Sequence, residues 1–104
     1  MGIYRVTTPT IVIEIENEDF DMSLIDICHV TIQNHSGRNK KIFNATNFDV
    51  ENRIIYLELT QEETKEYETG YIEIQLKIKL QNGKVVPSEI ITTTMNKILE
   101  EDIL

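Results

Sequence analysis

The sequence predicts an all-β fold: an antiparallel, immunoglobulin-like β-sandwich of about seven strands, with one short helical turn between Thr60 and Lys65. Three observations carry this. Ile-rich segments alternate apolar and polar residues with the period of two expected of half-buried strands. Turn-forming residues separate those segments at short intervals. A single Thr-x-x-Glu capping pattern interrupts the series of strands.

The first strand is expected over residues 10–16, where Ile11, Ile13 and Ile15 alternate with Val12, Glu14 and Glu16. Before it, YRVTTPT reads as a stiff, extended leader over residues 1–9. Pro9 fixes its own φ and pushes Thr8 toward an extended shape. The acidic connection NEDFDMS follows the first strand. The second strand covers residues 25–33, with Cys28, Val30 and Ile32 on one face and His29, Thr31 and Gln33 on the other. NHSGRNK is a turn in which Gly37 is free to take a positive φ.

Residues 40–45 and 48–50 are shorter strand candidates, and Glu51 and Asn52 form the turn into RIIYLEL. There Ile55, Leu57 and Leu59 face inward, and Ile54 and Tyr56 share a partly covered opposite face with Glu58. In LTQEET, Thr60 and Glu63 have capping-box spacing, so a brief helix should carry the chain from one sheet to the other. YIEIQLKIKL is the clearest strand, with Ile72, Ile74, Leu76, Ile78 and Leu80 buried and Tyr71, Glu73, Gln75, Lys77 and Lys79 wet. Asn82-Gly83 signals a type I′ hairpin. The returning strand covers residues 84–95, with Pro87 at an edge position, a bulge or a break.

At 104 residues the chain has room for one domain, residues 1–104, ending in an apolar tail over 96–104. Hydrophobic residues at 40% and charged residues at 27% give an ordinary globular balance. The net charge of −8 argues against nucleic-acid binding, which needs a Lys/Arg surface, and against anionic membranes. It fits solubility or a basic partner. One cysteine, Cys28, excludes an intrachain disulfide. Neither a secretion signal nor an apolar run of membrane-spanning length is visible, so a cytoplasmic site of synthesis is expected.

A catalytic constellation is not apparent. Cys28 and His29 are adjacent in a strand, so their side chains point apart and cannot form a dyad; His35 sits in a turn. Glu14, Glu16, Glu18, Asp19 and Asp21 offer oxygen ligands for calcium, but their spacing is not that of an EF-hand. Two His and one Cys make a poor zinc set. No cofactor is therefore expected. A sugar-binding face could use Tyr56, Tyr67 or Tyr71, and Tyr71 could instead tie down the loop before its strand. In the tail, Ile98, Leu99, Ile103 and Leu104 surround Glu100, Glu101 and Asp102. Such a tail either packs on its own domain or docks on a neighbour.

Three segments, YRVTTPT, LTQEET and GYIEIQLKIKLQNGKVVPSEI, together resemble a group of small virion proteins encoded by phages and prophages of Gram-positive, Clostridium-like bacteria. The match spans most of the chain, with Val6 where the group tends to have Gly. The resemblance implies a non-enzymatic component of a phage or phage-tail-like particle, from its tail or baseplate. It carries over no catalytic residue. The expected partners are other virion proteins or a second copy of the chain, and the expected location is the virion, after synthesis in the host bacterial cytoplasm. Tyr4, Arg5, Thr8 and Pro9 of the leader, with Ile98, Leu99, Ile103 and Leu104 of the tail, are the candidate assembly surface. A capsid decoration protein and a glycan- or calcium-binding module are the alternatives.

Overall fold

Alternation gives each long strand one apolar face, and two such faces must be pressed together to leave water. The structure, a computed structural model, describes residues 2–16, 18 and 20–104. Its strands are β1 (Gly2–Tyr4), β2 (Thr10–Glu14), β3 (Ile25–Asn34), β4 (Lys41–Asn44), β5 (Asn47–Asp49), β6 (Ile54–Glu58), β7 (Gly70–Leu80), β8 (Val85–Pro87) and β9 (Ile91–Asn96). A 3₁₀ turn at Met22–Leu24 precedes β3, and helix α1 (Gln61–Lys65) links β6 to β7.

One sheet runs β1-β9-β7-β3-β4, with β8 also on β7, and the other runs β2-β6-β5. Every expected inward residue of the long strands is buried: Ile11, Ile13 and Ile15; Cys28, Val30 and Ile32; Ile55, Leu57 and Leu59; and the five from Ile72 to Leu80. Helix α1 makes the crossing between sheets. In immunoglobulin lettering β1 is A′, β2 is B, β3 is C, β4 is C′, β5 is D, β6 is E and β7 is F, and β8 with β9 forms G. The sandwich is thus A′GFCC′ against BED.

Several expectations need correction. Nine strands are present among the described residues, because the leader contributes one and the final strand is split. The leader is not a stiff extended arm. Gly2–Tyr4 forms β1, parallel to β9, and the chain then turns at Val6, whose φ is 56°. That left-handed residue lets the backbone leave one sheet and enter the other as β2. The sheets are therefore antiparallel throughout except for β1 on β9. Gly2 lets the strands approach closely there, since a Cβ would force the side chains of Thr94 and Asn96 to shift.

The hairpin at Asn82-Gly83 is not type I′, because Gly83 alone has a positive φ, 88°. Leu80 N donates to Lys84 O at 2.8 Å and Gly83 N donates to Leu80 O at 2.9 Å, the pattern of a three-residue loop closed by a left-handed Gly. The turn after β3 repeats it, with Gly37 N on Asn34 O and Asn34 N on Arg38 O.

The return over residues 84–95 breaks between β8 and β9. β7 pairs Lys77 with Pro87 and Ile74 with Ile91, so three residues oppose two, a bulge. Ser88 fills the gap: its N–H donates to Leu76 O at 3.0 Å, and its Oγ accepts from Leu76 N at 2.9 Å. Pro87 belongs to the outward-pointing set of backbone groups, so its missing N–H costs no rung.

Tyr71 does not tie down the corner. It lies on the outer face, 63% exposed. Tyr67 takes that role: it is buried, and its hydroxyl donates to Ile32 O at 3.0 Å, fastening the end of α1 to β3.

Candidate assembly surface

Leader and tail, distant in sequence, meet beside α1. The helix forms because Thr60 and Glu63 complete a reciprocal box: Glu63 N donates to Thr60 Oγ1 at 3.2 Å and Thr60 N to Glu63 Oε1 at 2.8 Å. Thr64 then faces inward and is fully buried. Its Oγ1 accepts from Thr7 N at 3.1 Å and lies 3.0 Å from Thr7 O, pinning the leader to the helix. Arg5 donates from Nε to Tyr67 O at 2.7 Å and from Nη2 to Lys65 O at 2.9 Å, satisfying carbonyls at the helix end. Its Nη1 pairs with Glu101 of the tail. Gln61 holds Leu104 twice, accepting from Leu104 N at 2.8 Å and donating to Leu104 O at 3.3 Å.

The tail therefore lies on its own domain, but through polar bonds. Leu99 remains 94% and Leu104 92% exposed, and Tyr4 and Ile103 are also exposed. Ile98 is half-buried, and with Val6, Thr8, Gln61 and Leu104 it borders a hollow of about 250 Å³. Pro9 is half-buried; its carbonyl accepts from Leu59 N at 3.0 Å and starts the β2–β6 ladder. Of the eight predicted surface residues, Arg5 and Pro9 are thus anchors of the fold, Ile98 borders the hollow, and Tyr4, Thr8, Leu99, Ile103 and Leu104 offer contact area. Gln61 and Thr64 were missed. The capping box was their only signal, and it spoke for a helix, not for what the helix would hold.

The other candidates are dispersed. Cys28 is buried among apolar side chains, which pushes its thiol up to about 11, while His29 stands exposed on the opposite face. His35 Nδ1 lies 3.6 Å from Glu73 Oε2. Tyr56 and Tyr71 stand on the outer faces of different sheets and Tyr67 is inside, so the three form no common sugar face. Asp19 of the acidic connection lies outside the described residues. Asp21 is spent as the cap of the 3₁₀ turn: it accepts from Ser23 N and Oγ at 2.9 and 2.8 Å, which holds its carboxyl below the usual range. Among the described residues no group of three or more His, Cys, Asp or Glu is placed to hold a metal, and no helix is long and apolar enough to cross a membrane. No family model, no curated protein and no solved structure matches the chain.

Proposed function

We propose that the chain is a non-enzymatic structural component of a phage or phage-tail-like particle, a tail or baseplate accessory module that works through protein–protein contacts. The observation that carries this reading is the meeting of leader and tail beside α1, through Arg5 with Glu101 and Gln61 with Leu104, while Tyr4, Leu99 and Leu104 remain in water. Large apolar side chains held out by a polar framework gain free energy only when a partner covers them. The resemblance of the leader and the long hairpin to phage and prophage virion proteins supports the same reading. So does Val6: the backbone there is left-handed, and the resembling leaders tend to have Gly at that place. The net charge of −8 fits protein partners and not nucleic acid.

The test is to purify particles from the phage or induced prophage whose genome encodes the chain and measure its copy number by mass spectrometry. A fixed stoichiometry is expected, and absence of the polypeptide from the particles refutes the reading. Recovery with heads instead of tails makes it a capsid decoration protein. Leu99→Ser with Leu104→Ser should reduce incorporation while leaving the melting temperature unchanged.

A further inference from the structure

We propose that the cleft between the free edges of β2 and β8 is a strand-accepting slot, whose occupant is an extended segment of a partner protein with alternating apolar residues and Lys or Arg. The slot lies at the far end of β2 from the leader–tail surface, and the proposal stands whether or not the partner belongs to a particle.

Backbone chemistry comes first. Ile15 N donates to Arg53 O at 2.8 Å, and Pro9 O accepts from Leu59 N. Antiparallel alternation then turns the N–H and C=O of residues 11 and 13 toward β6, and those of Thr10, Val12 and Glu14 away from it. Among the described residues no strand lies on that side, where β2 ends its sheet. Across the cleft, Leu80 N donates to Lys84 O, so by the same alternation the groups of Val85 point outward from β8. β1 covers β9 only at Thr94, Met95 and Asn96, leaving β8 uncovered. An immunoglobulin-like sandwich usually has a strand A beside B. Here residues 2–4 lie at the A′ position on β9, and no described residue pairs with the outer edge of β2 at the A position.

The cleft has volume and a sign of charge. It measures about 620 Å³, with Phe20, Ile78 and Val86 on its floor. Glu14, Glu16 and Glu89 line it, and among the described residues no Lys or Arg does. The neighbouring Arg53 is turned to the carbonyls of Ile15 and Phe20, at 3.3 and 3.2 Å. The chain's own tail carries Glu100, Glu101 and Asp102 and would be repelled. Main-chain bonds to an open edge give affinity, alternate side chains in the floor give register, and the acidic rim selects a basic strand.

The probes are two peptides of about nine residues, alternating Val and Thr with Lys at both ends and the centre, or with Glu at those places. Titration followed by amide NMR should show the Lys peptide shifting Val12, Glu14 and Val85, with the Glu peptide at least about tenfold weaker. Val12→Pro deletes an outward N–H while leaving the β6 rungs intact, and should abolish binding. Should that variant unfold, the combined Glu14→Lys, Glu16→Lys and Glu89→Lys chain serves instead, and its preference should invert to the Glu peptide. Equal binding of both peptides, shifts elsewhere, or no binding overturns the proposal. So does a concentration-dependent dimer that Val12→Pro dissolves, because the occupant is then a second copy.

Discussion

At the scale of single residues, Tyr67 shows how one hydroxyl can fasten two elements. The ring fills the core below α1 and the hydroxyl reaches Ile32 O, so the side chain satisfies both its apolar body and its polar tip. Tyr67→Phe keeps the ring and loses the bond. A buried hydrogen bond contributes about 1 kcal/mol, which in a domain of this size corresponds to a fall of about 4–8 °C in Tm. Calorimetry should record that fall with an unchanged far-UV spectrum. Tyr71→Phe, on the exposed face, should not move Tm. The choice between the two tyrosines was already written in the alternation of YIEIQLKIKL, which sets Tyr71 with Glu73 and Lys77 on the wet face.

At the scale of elements, the sequence was most readable where one face had to be dry. The isoleucines of β2, β3 and β7 announce their inner faces, and a one-residue slip would expose them all. Short elements were harder. Gly2–Tyr4 is too brief to show a period, and its pairing with β9 depends on contacts some ninety positions away, which no local pattern encodes. Val6 gives no hint of a left-handed turn, because a β-branched residue rarely takes one. For the same reason the leader and tail of the assembly surface were both noticed in the sequence, while their convergence on Gln61 and Thr64 was not. Helix α1 is the hinge of that convergence. Thr60→Ala removes the cap at a cost of about 1 kcal/mol. Its more specific effect should be local: faster hydrogen exchange at Thr7, whose amide is held by Thr64, with protection in β3 and β7 retained.

At the scale of the whole molecule, the core holds two groups that resist ionisation. Burial raises the Cys28 thiol from 9.0 to about 11, and burial with the nearby Glu66 and Glu63 carboxylates raises the Tyr67 phenol from 10.0. Between the unfolded and folded values the native state binds more protons than the unfolded chain, so stability falls as pH rises. The contribution is fully present below about pH 9 and should be lost progressively as pH climbs through 11. Urea titrations across that range should show the midpoint dropping on the alkaline side. Cys28→Ala should flatten the first part of the fall.

The parallel contact of β1 with β9 has a mechanical meaning. Tension applied ahead of residue 2 and beyond residue 96 would drag the two strands in opposite senses along their own axes. Every rung between them, including the bond from Arg5 N to Asn96 O, would then bear the load together. An antiparallel pair pulled from its open ends yields one rung at a time, like a zip. The sandwich is therefore built as a shear joint. Single-molecule pulling through those two points should give a higher rupture force than pulling across the β7–β8 hairpin.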